Sequence, residues 1–305
     1  MRLPLILCFL VILVSSFTVQ AQEPAPQTEK IRGGLYLMIS PQGGNVVVST
    51  GRDGTFLIDD QLEGRSAVMR AAVEKIAGGG PDFILNTHYH FDHTGGNEAF
   101  GEEGAVIVAH DNVRKRLSTP QFITHFQRKM KPLGREGLPV VTFAKEVTFH
   151  YNDDTLHILH LPDAHTDGDS IAHFEDENVI VAGDVIFNGM YPFIDVEHGG
   201  SITGIINALD AITARADRRT MIVPGHGPVM NLTELKAYRD MMAKITSRVE
   251  EGIETGTSRQ EIIDSKPTAE FDDVMAASVV SPDDFVGIVY DDLYGQHRDK
   301  ERRRH

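Results

Sequence analysis

The sequence predicts an α/β protein with two groups of β-strands and flanking helices. Short β-rich runs occur before residue 60 and again after residue 146. Segments with apolar residues at helical spacing lie between and after these runs. Several apolar strands end directly on a histidine or an aspartate, which is typical of α/β proteins that build a site at the carboxyl ends of their strands.

The size and composition favour one domain. The chain has 305 residues, 41% of them hydrophobic, and no repeat or low-complexity tract interrupts it after residue 30. The length would also allow two small domains, but no linker rich in Pro, Ser or Gly separates two halves. We therefore expect a single domain over residues 22–295, followed by a basic disordered tail over residues 296–305.

The first 21 residues are typical of a secretory signal peptide. Arg2 precedes an apolar run over residues 3–13, and small residues lead to an exit at Ala21. The run is short for a membrane span, so an uncleaved anchor is the weaker alternative. We expect a bacterial periplasmic or secreted protein with no membrane contact after cleavage. The only cysteine, Cys8, lies in this segment, so any metal ligand of the mature chain must be His, Asp or Glu.

The net charge limits the choice of partners. The chain carries a formal charge of -15 at pH 7. Nucleic acids and anionic membrane surfaces both require a basic face on the protein that binds them. We therefore expect a small-molecule substrate and no nucleic-acid partner, while the sequence predicts no particular oligomeric state.

The first half of the chain places strands and a helix ahead of a polar loop. β-rich runs separated by turn residues predict hairpins, and the apolar residues from Val68 to Ile76 have the spacing of a helix that ends at the glycines 78–80. The predicted elements are strands over residues 34–39, 44–49 and 55–59, a helix over residues 65–77 and a strand that ends near residue 86.

The polar loop after that strand contains three histidines and an aspartate within six residues: His88, His90, Asp92 and His93. Imidazole and carboxylate are the usual ligands of zinc when no cysteine is present. His88 and His90 point to the same side if the backbone stays extended, whereas Asp92 and His93 lie past the bend and can face a second position. The loop therefore predicts a metal site, and two metal ions are plausible. A polar loop with chance histidines is the alternative.

The middle of the chain contains a short helix and an irregular segment. We expect a strand over residues 105–109 and a helix over residues 111–117, whose basic residues Arg114 to Arg116 are solvated. Residues 118–140 mix aromatic residues with Pro and Gly, and they form either a mobile flap over the site or an ordinary surface helix and loop.

The second half of the chain repeats the arrangement of a strand followed by a polar residue. His165 lies in a turn after one apolar strand, Asp184 ends a second strand and His226 follows a third. We expect strands over residues 147–150, 156–161, 170–174 and 179–182, and covering helices over residues 202–214, 232–253 and 282–293.

The sequence Thr-His-Tyr-His-Phe-Asp-His at residues 87–93, followed in this order by His165, Asp184 and His226, resembles the metal-binding pattern of the metallo-β-lactamase superfamily. The resemblance extends over residues 34–293. It implies a four-layer αββα sandwich of two mixed β-sheets flanked by helices. It also implies two Zn²⁺ ions per chain: the first bound by His88, His90 and His165, the second by Asp92, His93 and His226, and both bridged by Asp184.

The resemblance predicts a zinc-dependent hydrolase. Two zinc ions that share a solvent molecule would lower its pKa and supply a nucleophile at neutral pH. Asp92 is a candidate proton acceptor, and Asn188 and Tyr191 are candidate donors to the developing oxyanion, although loop packing is the alternative role for each. Carboxylates beside His165 are candidates to orient the imidazoles: Asp163, Asp167 and Asp169.

The sequence leaves the substrate class open. The broad subclass of β-lactamases that is closest in export and overall layout has a cysteine where this chain has Asp184. An aspartate there is similar to hydroxyacylglutathione hydrolases, lactonases and phosphodiesterases, and the stretches 108–114, 165–170 and 188–195 resemble a group of exported bacterial metallo-hydrolases. We expect opening of a cyclic amide or ester, most simply by a β-lactamase-like enzyme. The alternatives are a di-zinc thioesterase or phosphodiesterase and a non-catalytic periplasmic zinc-binding protein.

Overall fold

Two β-sheets and a separate hairpin form the framework of the fold. The structure is a computed structural model that describes residues 24–40, 42–277 and 279–302. The predicted signal peptide lies outside the described residues. The strands are β1 (Gln27–Arg32), β2 (Leu35–Ile39), β3 (Val46–Thr50), β4 (Thr55–Ile58), β5 (Phe83–Asn86), β6 (Val106–His110), β7 (Gln121–Ile123), β8 (Arg128–Met130), β9 (Val141–Phe143), β10 (Glu146–Tyr151), β11 (Asp154–His160), β12 (Ser170–Phe174), β13 (Val179–Val181) and β14 (Met221–Val223). The helices are α1 (Ser66–Ala77), α2 (Asn97–Glu102), α3 (Asp111–Leu117), α4 (Ile202–Thr213), α5 (Leu232–Glu254), α6 (Arg259–Asp264) and α7 (Pro282–Arg302).

Both large sheets are mixed. The first has the strand order β1-β2-β3-β4-β5-β6-β9, and its pairings are antiparallel up to β4 and parallel from β4 to β9. The second has the order β10-β11-β12-β13-β14, and only its last pairing is parallel. The parallel strands of both sheets therefore supply the carboxyl ends at which a site can form.

The two sheets pack face to face, and helices cover their outer faces. Alternate residues of β2 and β3 show this division, because Leu37 and Val47 belong to the core between the sheets while Val46 and Val48 pack with Met69 of α1. The outer face of the second sheet packs against α4, α5 and α7. The predicted αββα sandwich is confirmed.

The ends of the helices follow local chemistry. Gly78 ends α1 with a φ of 80°, a left-handed conformation that favours glycine. Asn231 begins α5: its side chain accepts hydrogen bonds from the backbone of Thr233 and Glu234, and the Glu234 side chain accepts one from Asn231 N at 2.8 Å. In the described part of the chain, no helix is long and apolar enough to span a membrane.

The structure differs from the expected elements in a few places. Helix α7 continues through Arg302, so residues 296–302 are helical and the prediction of a disordered tail is wrong for them. Strands β1 and β9, helices α2 and α6 and the β7–β8 hairpin were not predicted. Strand β1 is a polar, largely exposed edge strand, and it therefore lacks the apolar alternation by which a strand is recognised.

Candidate metal centre

The structure brings the seven predicted donors together at one end of the sandwich. His88, His90, Asp92 and His93 follow β5, His165 lies between β11 and β12, Asp184 follows β13, and His226 follows β14. Their donor atoms form two groups, and within each group they lie within 4.8 Å of one another. The first group is His88, His90, His165 and Asp184, and the second is Asp92, His93 and His226.

Asp184 lies between the two groups and faces each with one oxygen. Its Oδ2 is 3.6 Å from His88 Nε2 and 3.5 Å from His165 Nε2. Its Oδ1 is 3.1 Å from His93 Nε2 and 3.4 Å from His226 Nε2. A single carboxylate can therefore contact cations held by both groups.

The second group is completed by Asp92. Its Oδ2 lies 3.3 Å from His226 Nε2 and 3.7 Å from His93 Nε2, and the two imidazole Nε2 atoms are 3.4 Å apart. The side chains of Asp92 and His226 are 16% and 19% exposed, whereas His93 is fully buried. Two members of this group therefore reach solvent.

Hydrogen bonds outside the cluster fix which nitrogen of His90 and His165 faces inward. His90 Nε2 donates to Asp195 Oδ2 at 2.9 Å, and His165 Nδ1 donates to the Phe193 carbonyl at 2.7 Å. The remaining nitrogens, His90 Nδ1 and His165 Nε2, face each other at 2.8 Å. Because a neutral imidazole carries only one proton, both facing nitrogens present lone pairs. A cation between them removes this conflict.

The same logic applies to the other two buried imidazoles. His93 Nδ1 donates to Asp59 Oδ2 at 2.8 Å, so Nε2 is the nitrogen that faces the site. The Thr87 hydroxyl donates to Asp59 Oδ2 at 2.8 Å and accepts from His88 Nδ1 at 3.1 Å, so His88 also directs an unprotonated Nε2 inward. Among the described residues, neither His88 Nε2 nor Asp184 Oδ1 has a hydrogen-bond partner, although both atoms are buried.

These donors fit metal ions. Buried polar atoms without partners are costly in a folded protein, and here they converge with their lone pairs on common points. Nitrogen and oxygen donors in this number are suited to zinc and related borderline cations. Histidine ligands held by carboxylates and carbonyls through their other nitrogen are a regular feature of such sites.

The electrostatics differ between the two groups. Burial lowers the pKa of His88 and lowers that of His165 to about 4, so these imidazoles are neutral. Burial alone would also lower the pKa of His226, but the carboxylates of Asp184 and Asp92 raise it to about 9. Burial opposes ionisation of Asp184, yet the surrounding imidazoles, His93 first, hold its pKa well below the usual value. The bare site is thus an anionic centre surrounded by imidazoles.

Two buried aspartates that were not predicted orient the imidazoles. Asp59, at the end of β4, accepts from His93, and its pKa is raised by burial despite that contact. Asp195 accepts from His90, from the Tyr89 hydroxyl at 2.5 Å and from His198 Nδ1 at 2.7 Å. Burial disfavours the charge of Asp195, but these donors hold its pKa below the usual value. For Asp59, a carboxylate directly after an apolar strand was the available sequence signal.

The three carboxylates predicted for this orienting role do not perform it, and that prediction is wrong. Asp169 accepts hydrogen bonds from the backbone and hydroxyl of Thr166, at 2.8 and 2.7 Å. Asp167 pairs with Arg116 at 2.6 Å. Within the described chain, neither these two nor Asp163 forms a side-chain hydrogen bond to an imidazole of the site. Local turn geometry directs these side chains away from the donors.

Arg116 departs from the predicted solvated helix face. Its guanidinium forms the ion pair with Asp167, donates to the His198 carbonyl at 2.9 Å and lies 5.5 Å from the centre of the Tyr89 ring. Its side chain is only 18% exposed. Arg116 thus contacts both Tyr89 and His198, the two residues that donate hydrogen bonds to Asp195 together with His90.

The two candidate oxyanion donors lie elsewhere, and both predictions are wrong. Tyr191 is fully buried, stacks on Phe285 and donates its hydroxyl to Asp272 at 2.8 Å. The Asn188 side chain donates to the Pro228 carbonyl at 2.9 Å. Neither residue lines the cavity over the metal donors. Each side chain instead holds the loop after Asp184 against its neighbours, which is the packing role considered as the alternative.

A cavity of about 920 Å³ opens over the donors. Its base contains His90, Asp92, Asp184 and His226, and the apolar and aromatic side chains of its walls include Phe91, Phe126, Phe187, Met190 and Phe193. The segment 118–140 contributes the β7–β8 hairpin, whose connecting residues His125 and Phe126 form part of one wall. The segment therefore contributes to one wall of the site, and its role as a mobile flap stays a prediction.

Comparison with known proteins agrees with this architecture. Residues 33–226 match the family model described as the metallo-beta-lactamase superfamily. A probable metallo-hydrolase of Methanocaldococcus jannaschii is 28% identical over 202 residues, which cover 64% of this chain and 87% of that protein. A hydroxyacylglutathione hydrolase of a Polaromonas species is 24% identical over 189 residues, or 61% of this chain and 63% of that protein.

Solved structures show the same fold. The metallo-beta-lactamase from Pontibacter korlensis superposes with a TM-score of 0.58 at 16% sequence identity, over 72% of this chain and 99% of the other. At this identity the likeness establishes the fold alone.

The αββα sandwich and the paired histidine and aspartate donors define a metallo-hydrolase fold with a site that could hold metal ions. The chain belongs to the metallo-β-lactamase superfamily. Members of this superfamily are hydrolases that typically bind zinc, so the protein is assigned to the metallo-hydrolases at that level.

Proposed function

We propose that the protein is an exported di-zinc hydrolase that opens a cyclic amide or ester, with β-lactamase-like chemistry. The observation that supports this most strongly is the position of Asp184, which faces one donor group with each carboxylate oxygen. A mononuclear or purely structural site would not need a carboxylate between two groups of inward-facing donors. The cavity above the donors gives a substrate access to them.

In this proposal His88, His90 and His165 would hold the first zinc ion, Asp92, His93 and His226 would hold the second, and Asp184 would serve both. When bound, the two ions lower the pKa of a shared water and polarise the substrate carbonyl. The residues around the metal donors contribute by holding the donor side chains in place. Asp59 and Asp195 keep the imidazoles in the tautomers that leave a lone pair for the metal.

Asp92 has the further role of accepting the proton of the attacking water. Its carboxylate lines the cavity and its side chain is 16% exposed, so it meets both the donor group and solvent. General base catalysis requires a group within hydrogen-bonding reach of the water, and Asp92 is the more exposed of the two donor carboxylates.

Thioester hydrolysis is the second candidate, because hydroxyacylglutathione hydrolases are among the similar proteins. Phosphodiester hydrolysis has less support. A phosphodiester keeps a negative charge, and the described residues that line the cavity include no lysine or arginine. The accessible cavity speaks against a non-catalytic zinc-binding protein, since a storage or structural site has no need of one.

The test uses the purified, zinc-loaded protein with four substrates: a chromogenic cephalosporin, a δ-lactone, an acyl thioester and a bis-aryl phosphodiester. Asp184→Ala and His226→Ala remove donors, and His157→Ala is the control, since His157 pairs with exposed Glu175 on the second sheet. We expect cephalosporin or lactone turnover that both donor variants lose and the control keeps. Turnover of the thioester or phosphodiester alone would overturn the proposal. Export is tested separately by the mass of the protein recovered from the periplasm or medium, with cleavage expected after Ala21.

A further inference from the structure

We propose that the cavity selects substrates with an uncharged, apolar side chain, and that Phe126 of the β7–β8 hairpin is the residue that contacts this side chain. The inference rests on the proposed ring-opening function and specifies the substrate class for it. It follows from three features of the cavity: a continuous series of aromatic rings, the charge of the lining residues and an exposed aromatic side chain at the rim.

Aromatic rings connect the rim of the cavity to the metal donors. Phe126 packs edge-on against Phe193 with the ring centres 4.9 Å apart, and His125 stacks on the same ring at 5.2 Å. Phe193 in turn lies 5.9 Å from the imidazole of His90 and 5.9 Å from that of His165. A substrate whose scissile bond reaches the donors therefore extends its substituent along Phe193 to Phe126.

The lining beside His226 is also apolar. Phe187 stacks on His226 with the ring centres 4.9 Å apart and the planes 14° from parallel, and Met190 lies nearby in the cavity wall. Sites of this kind obtain affinity from apolar burial and orientation from a few polar groups. Here the carboxylates of the lining, Asp92 and Asp184, belong to the metal donors at the base.

The charges of the lining exclude an anionic side chain. Among the described residues of the cavity wall, none is lysine or arginine. Arg128 on β8 is a cation beside the cavity, but its guanidinium lies against the Phe91 ring, 3.7 Å from the ring centre. A carboxylate on the substrate side chain would thus find no cationic partner among the lining residues, in a protein whose formal charge is already -15.

Phe126 is placed to make the selective contact. It is 39% exposed although it lies in the cavity wall, so a substrate can cover the part that water now contacts. Phe122, on β7 of the same hairpin, is 41% exposed but does not line the cavity. The two residues are matched in type and exposure and lie in the same hairpin, and they differ in their access to the cavity.

The experiment compares three δ-lactones on the zinc-loaded enzyme: one without a side chain, one with a pentyl group and one with a chain of equal length that ends in a carboxylate. We expect kcat/KM to be highest for the pentyl lactone. Phe126→Ala lowers kcat/KM for the pentyl lactone relative to that for the unsubstituted lactone by about ten-fold, the size of effect expected when a pocket loses a small amount of apolar surface. Phe122→Ala leaves both values unchanged.

A binding measurement separates this inference from the proposed function. The pentyl-substituted cyclic ether of the same ring size cannot be hydrolysed, and its affinity is measured by titration calorimetry on wild type, Phe126→Ala and Phe122→Ala. If no lactone is opened but the pentyl ether binds through Phe126, ring opening is wrong and the apolar site stands. Equal losses in both variants, no binding preference for the pentyl ether over the unsubstituted ether, or a preference for the carboxylate lactone would overturn the inference.

Discussion

Replacing Asp195 with asparagine should weaken metal binding although Asp195 is not itself a metal ligand. Asp195 is 2% exposed and accepts three hydrogen bonds, from His90 Nε2, the Tyr89 hydroxyl and His198 Nδ1. Asparagine has the same shape but only one acceptor oxygen and no charge. If that oxygen takes the place of Oδ2, the amide nitrogen faces His198. The His90 imidazole then loses the charged partner that fixes its tautomer.

The magnitude follows from the hydrogen bond between His90 and the Asp195 carboxylate. Hydrogen bonds to a charged acceptor contribute about 1.5–3 kcal/mol each, and removing the outer partner of a metal-bound histidine lowers metal affinity by about 10–100-fold. A reduction of about 10–100-fold corresponds to about 1.4–2.8 kcal/mol of binding free energy. Asparagine keeps one acceptor oxygen, so the Asp195→Asn variant should bind the first zinc ion about ten-fold more weakly, at the lower bound of that range.

The assay is competition for zinc between the apoprotein and a chromogenic chelator. Asp60→Asn is the matched control: Asp60 is fully buried one residue after Asp59, but its Oδ1 accepts only from Gly96 N, at 2.7 Å. Burial raises the pKa of Asp60 well above the usual value, so asparagine resembles its neutral form. Equal zinc affinity in wild type and Asp195→Asn would refute the argument that Asp195 positions His90, and an equal reduction in Asp60→Asn would show general damage.

Three further predictions follow from the same geometry. Tyr191→Phe removes the hydrogen bond to Asp272 and should cost about 1 kcal/mol in the free energy of unfolding, measured by urea titration, with kcat unchanged; a large fall in kcat would restore the oxyanion role. Gly225→Ala places a Cβ against Asp184 Oδ1 and should abolish zinc binding in the chelator assay, whereas Gly79→Ala, where a Cβ meets no neighbour, should not. Removing the metal with a chelator should lower Tm by about 5–10 °C, measured by calorimetry. The reference is the protein with free zinc at about 100 times its Kd. An unchanged Tm would contradict metal binding in the native state.

The fold and the donor set could be predicted because their signals are local in sequence. Four donors lie within six residues directly after β5, and His165, Asp184 and His226 each follow an apolar strand. Apolar alternation also identified most strands of both sheets. Strand β1 and the β7–β8 hairpin lack this signal, because the first is polar and exposed and the strands of the second have three residues each.

The orienting residues could not be predicted because they depend on contacts between distant parts of the chain. Asp195 lies 105 residues after His90 and meets it only when the two sheets pack together. Asp167 and Asp169 are near His165 in sequence, which made them candidates, but turn geometry gives them other partners. Tyr191 shows the same limit: its ring and hydroxyl are held by residues of the C-terminal region, far along the chain.

The zinc content of the protein tests the central claim most directly. Native mass spectrometry of the zinc-loaded wild type should show two zinc ions per chain. Asp184→Ala should retain at most one, because it removes the carboxylate that faces both donor groups. His157→Ala, on the exposed face of the second sheet, should still bind two. One zinc ion in the wild type, or two bound as firmly in Asp184→Ala, would contradict a dinuclear centre bridged by Asp184.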